Sequence, residues 1–186
     1  TFITQEQTVA GHSISVNVSR AVSRLSSIYL SFGGTIADPR AKAWNTFYHP
    51  MSHSTHTVDI ADGGTVRVHD PRYELEYQVQ IGSKLFPEYP VQSGAEAFAQ
   101  LRKSLKDAHG SDYHGVSIPA GQYSRNKFVM AIQTSKLLAA GCTGINTRSG
   151  DLMTIKSKVL DSAIAAEHMP SALHVVLEAD QIMEIR

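Results

Sequence analysis

Alternation at a period of two dominates this chain. Ile14, Val16 and Val18 are separated by Ser15 and Asn17, and Ile28, Leu30 and Phe32 share a parity against Tyr29 and Ser31. The longest run sets Tyr73, Leu75, Tyr77, Val79 and Ile81 against Glu74, Glu76, Gln78 and Gln80. Successive side chains of a strand point to opposite faces, so each run predicts a strand with one face buried and one wet. Phe128 to Thr134, Leu152 to Val159 and Leu173 to Ala179 continue the pattern. Gly33-Gly34, Asp62-Gly63-Gly64, Gly141 to Gly144 and Ser149-Gly150-Asp151 fall between the runs and supply the backbone freedom that turns need. Val58-Asp59-Ile60 and Thr65-Val66-Arg67-Val68 flank one such turn and predict a hairpin. About eight strands, mostly short, in one domain imply an all-β fold, a two-sheet sandwich or a barrel.

One segment breaks the alternation. Pro87-Glu88-Tyr89-Pro90 reads as a stiff, extended turn. After it, Ser93 and Glu96 have the spacing of a capping box, in which each side chain accepts the other residue's backbone N–H. Ala95, Phe98, Leu101 and Leu105 then form an apolar stripe at helical spacing, with Gln100, Arg102, Lys103 and Lys106 outside it. Lys103 and Lys106 suit the negative end of the helix dipole, and His109-Gly110 supplies a stop. The expectation is a single α-helix over about 93–108, inserted in a long connection between strands. A smaller helical turn is expected over Thr134 to Ala140.

The 186 residues fit one domain, 1–186, large enough for a core of its own. Its 17 basic and 17 acidic residues cancel, and no Lys/Arg run stands out, which argues against a nucleic-acid surface. No apolar run reaches the ~20 residues of a membrane span, and residues 1–10 carry no charged-then-apolar leader. Cys142, the single cysteine, has no internal partner for a disulfide. Gln181-Ile182-Met183-Glu184-Ile185-Arg186 reads like a strand cut short, so the chain is expected to be a fragment of a longer one.

Candidate chemistry is sparse. His49, His53 and His56 place three imidazoles in one short stretch, a ligand set zinc would accept, although the spacing fits no standard pair on a helix or strand. The plainer explanation is a polar Ser/Thr/His loop. Trp44, Phe47 and Tyr48 lie beside the histidines and could form a sugar platform or pack at a subunit interface. Cys142 reads as a small filler in a turn. No G-x-S-x-G elbow exists, and Gly141-Cys142-Thr143-Gly144 lacks the Lys-Ser/Thr of a phosphate loop. The acidic residues are scattered, so nothing local supports paired-carboxylate catalysis.

Three blocks carry a resemblance. The first is Tyr77-Gln78-Val79-Gln80-Ile81-Gly82-Ser83-Lys84 with Pro87-Glu88-Tyr89-Pro90 and Ala95 to Lys103. The second is Gly144-Ile145-Asn146-Thr147-Arg148-Ser149-Gly150-Asp151-Leu152, and the third runs from Leu173 to Ile185. Together they resemble the C-terminal part of double jelly-roll major capsid proteins, closest to those of polinton-like viruses and elements, with the adenovirus hexon a distant structural cousin. The resemblance covers Tyr73 to Arg186 and thins over Thr1 to Arg72, where it rests on Ser26 to Phe32.

The resemblance implies a jelly-roll sandwich with the helix packed against it. It implies trimers of pseudo-hexagonal outline that tile an icosahedral virion shell assembled inside the host cell. Partners would be further copies of the chain and minor capsid proteins, with no enzyme activity, no cofactor, no membrane span and no direct nucleic-acid site. Trp44, Phe47 and Tyr48 become the interface candidates, since obligate interfaces bury roughly 2,000 Å² or more around aromatic anchors. A double roll needs two sandwiches and 186 residues hold one, so the chain is either the second roll of a longer protein or a single-roll relative. Two other readings stay open: a glycan-binding sandwich using the aromatics, and a cupin-like metal enzyme joining His49, His53 and His56 to His174.

Overall fold

The computed structural model describes residues 1–33, 55–59, 65–69, 75–109, 118, 123, 127–134, 144–148, 150–159 and 170–180. In chain order the elements begin with β1 (Phe2–Thr8), β2 (Ser13–Val18), β3 (Leu25–Gly33), β4 (Thr55–Asp59) and β5 (Thr65–His69). They continue with β6 (Leu75–Ile81), β7 (Lys84–Val91), α1 (Gly94–His109), β8 (Met130–Gln133), β9 (Met153–Val159) and β10 (Ala172–Ala179).

Two four-stranded sheets, β1-β10-β3-β8 and β2-β9-β6-β7, face each other, and β4 pairs with β5 as a separate hairpin. Every pairing is antiparallel. With the hairpin set aside and the remaining strands lettered B to I, the sheets read BIDG and CHEF. The fold is a jelly roll.

The inward rows explain why. Ile28, Leu30 and Phe32 of β3 and Leu173, Val175 and Leu177 of β10 line one sheet; Tyr77, Val79 and Ile81 of β6 and Met153 and Ile155 of β9 line the other. Val79 lies directly opposite Ile155 and both are fully buried. Each fully buried side chain of this kind is worth roughly 1.5–3 kcal/mol of transfer free energy. One end of the sandwich is pinned where residues 144–147 cross the start of β3. Leu25 and Ile145 exchange both backbone bonds (2.8 and 2.9 Å), and Thr147 donates to Val22 O at 2.8 Å while its Oγ1 accepts from the Val22 N–H at 2.9 Å. Gly144 is required there, because a Cβ would stand 2.5 Å from the Arg24 carbonyl carbon.

Three expectations need correction. The Pro87 to Pro90 segment is no turn: it lies within β7, an edge strand that shifts register between Tyr77 and Val79 and contains a cis Phe86–Pro87 peptide. The turn comes earlier, at Gly82 and Ser83, where Gly82 takes φ +59 between the paired Ile81 and Lys84. Residues 2–8 form β1, a strand that the alternation did not mark. The helix spans Gly94–His109, as expected, but Ala95 is exposed and the buried face is Ala97, Leu101 and Ser104, with Phe98 and Leu105 beside it. The predicted hairpin is present as β4 and β5, and residues 135–140 lie outside the described set.

Candidate assembly surface

Because paired strands run antiparallel, the connections divide between two ends of the sandwich. The β1–β2, β3–β6, β7–β8 and β9–β10 connections start and finish at one end of the sandwich; the β2–β3, β6–β7 and β8–β9 connections start and finish at the other. The two longest excursions therefore leave and return at the same end, one carrying the β4/β5 hairpin and one carrying α1. Trp44, Phe47, Tyr48, His49 and His53 belong to the first excursion and lie outside the described residues. His56 falls in β4 opposite Val68. Cys142 also lies outside the described set.

The second excursion returns along the sandwich. Its helix starts as the sequence implies, with Ser93 Oγ accepting from the Glu96 N–H at 3.1 Å and Ser93 O from the Ala97 N–H at 2.9 Å. Glu96 reaches back one residue further than a simple capping box, to the Gln92 N–H at 3.3 Å. The helix then packs along β8 and covers that edge of its sheet. Phe98 packs at a tilt against Tyr123 with 4.9 Å between centroids, and Tyr123 likewise against Phe128 at 5.2 Å. Tyr123 donates its hydroxyl to Val129 O at 3.0 Å. Beneath this cluster the Tyr77 hydroxyl and Ser104 Oγ are buried with no hydrogen-bond partner among the described residues. Burial pushes the Tyr77 phenol well above the usual tyrosine range, and nearby Tyr123 and Glu96 add to the effect; burial alone does the same for Tyr123.

His174 alternates with buried Leu173 and Val175, so it sits on the outer face of its sheet. Its Nδ1 is 3.8 Å from Glu6 Oε2, and its Nε2 occupies the space that a side chain at Gly33 would fill. A metal site inside the sandwich cannot draw on it, which removes the second ligand group from the cupin-like alternative. Among the described residues no three His, Cys, Asp or Glu side chains are grouped to hold a metal ion, and no helix is long and apolar enough to cross a membrane.

The outer face of the other sheet is a polar ladder. Thr154 Oγ1 donates to Asn17 Oδ1 at 3.0 Å, Lys156 Nζ to Gln80 Oε1 at 2.8 Å, and Gln78 Nε2 to Pro87 O and Glu88 O at 2.9 and 3.1 Å. The described residues thus place the ends of both long connections at one end of the sandwich, a helix along one flank and, on the other, a strand edge that no described strand pairs with.

No family model and no curated protein matches the sequence. The solved structures to which the chain is similar include these two. One is PBCV-1 VP54, whose crystal structure was fitted into a cryo-EM reconstruction of the virophage Sputnik; it matches with a TM-score of 0.46 and 10% identity over 95% of this chain and 46% of that one. The other is a chain of the PBCV-1 virus capsid in a quasi-atomic model, with a TM-score of 0.43 and 8% identity over 95% of this chain and 45% of that one. The chain therefore spans about half the length of the structures it matches.

Proposed function

We propose that the chain is a structural building block of a viral capsid, one jelly roll of a protein that self-associates into trimeric capsomers and tiles an icosahedral shell. The observation that carries the reading is the BIDG and CHEF strand order with its long excursions gathered at one end. The three sequence blocks that resemble double jelly-roll capsid proteins support it.

In this reading the sandwich is a rigid spacer, the helix adds lateral bulk, and the excursions meet neighbouring subunits. Trp44, Phe47 and Tyr48 are its interface anchors, because buried aromatics carry a large share of association energy. Copies of the same chain and minor capsid proteins are its partners, and the virion is its destination. A net charge of zero suits close packing beside many identical copies, since self-repulsion is small.

The test is negative-stain electron microscopy of the purified chain, with a glycan-binding screen alongside. Threefold particles and no sugar binding are the expected result. Single sandwiches that bind a glycan, and lose it on Trp44→Ala, would replace this reading with the binding-module alternative.

A further inference from the structure

We propose that the free edge of β1 is a two-fold docking site, on which a second copy of this chain lays its own β1 antiparallel. β1 is the outermost strand of its sheet. Thr1 and Ala179 exchange both backbone bonds at 2.9 Å, and Val9 donates to Ser171 O at 3.0 Å. The register between these points is unbroken, so the odd-numbered residues turn their N–H and C=O groups toward β10. Phe2, Thr4, Glu6 and Thr8 therefore aim theirs away from the sheet. All four residues are exposed, and among the described residues no strand pairs with them.

Of the other three edges of the two four-stranded sheets, β8 and β7 are blunted and β2 is trimmed only at its last residues. α1 packs along β8. β7 carries Pro87, Pro90 and a register shift. At the last residues of β2 the Gln5 side chain stands in for a strand, accepting from the Ser19 N–H at 3.2 Å and donating to Asn17 O at 3.3 Å. β1 has no proline, no lysine and one charge, Glu6. Such an edge is a template for another strand.

Its own copy fits best because the strand is self-complementary. With the two-fold axis at Gln5, Phe2 opposes the partner's Thr8 and Thr4 opposes the partner's Glu6. Every outward N–H and C=O of both strands then falls in a hydrogen-bonded pair, and the only charge meets a threonine. Phe2, 64% exposed in the single chain, gains cover across the pair. A two-fold contact cannot close a threefold ring, so this surface is separate from any trimer contact and does not depend on the capsid reading.

Sedimentation velocity over a concentration series tests it on the 186-residue chain and its Thr4→Pro, Thr4→Glu and Thr4→Lys variants. Thr4→Pro removes an outward N–H and no bond to β10, so the melting temperature should hold. The parent should double its mass as concentration rises, and Thr4→Pro should not. Thr4→Glu sets a carboxylate against the partner's Glu6 twice per pair and should weaken association roughly tenfold, while Thr4→Lys should strengthen it. A parent that never doubles, or doubling indifferent to all three substitutions, overturns the proposal. A trimer indifferent to Thr4 would do so too, and would leave the capsomer reading standing.

Discussion

The two flanks of the sandwich are finished by opposite means. On one, β7 and β8 are closed off by a proline-bearing edge and by α1, with Tyr77, Phe98, Leu101, Tyr123 and Phe128 packed between helix and sheets. On the other, β1 and β2 are left with one glutamine side chain between them and no covering element among the described residues. Apolar burial closes the first flank, and it is expensive to disturb. Exposed hydrogen bonds trim the second, and there substitutions should alter association more than stability.

The largest effect should come from the covered flank. Leu101→Asp puts an unpaired carboxylate at a buried helix position and should cost about 3–5 kcal/mol, read by denaturant unfolding. A variant that unfolds like the parent would mean that α1 contributes nothing to the fold. Tyr77→Phe acts in the opposite direction. It removes a buried hydroxyl with no partner among the described residues and should raise stability by about 1–2 kcal/mol.

The same residue gives a pH dependence. Tyr77 and Tyr123 hold their protons in the fold, whereas in the unfolded chain tyrosine ionises near about pH 10. Their contribution is fully present below that pH and is lost above it, by about 1.4 kcal/mol per pH unit for each tyrosine. Alkaline unfolding curves should therefore be shallower for Tyr77→Phe. Gln5→Ala, on the open flank, should be the mildest change, below about 0.5 kcal/mol in thermal melts because its bonds are exposed. A loss comparable to that of Leu101→Asp would erase the distinction between the flanks.

What the sequence made legible follows from the same contrast. β2, β3, β6 and β10 stand out because an inward row of apolar residues faces an outward row of different character. β1 escapes notice because an edge strand buries little: beyond Phe2 and Ile3 it reads Thr-Gln-Glu-Gln-Thr, and even its inward Gln5 is polar. β7 was masked by Pro87 and Pro90, which forbid a central strand but are compatible with an edge. On α1, apolarity pointed to Ala95, whereas close packing against β8 selected Ala97 and Ser104, small residues at the spacing of Leu101. The candidate assembly surface was only partly readable. The aromatic and histidine cluster is conspicuous as composition, but an open edge is a property of topology, and only the strand order reveals that no described strand lies beyond β1.

Self-association is the central claim, and its most direct test is the solution mass of the chain by size-exclusion with light scattering at low concentration. A species near three times 20.3 kDa is the predicted result. A particle of one chain mass at every concentration, with the fold intact by circular dichroism, would contradict it.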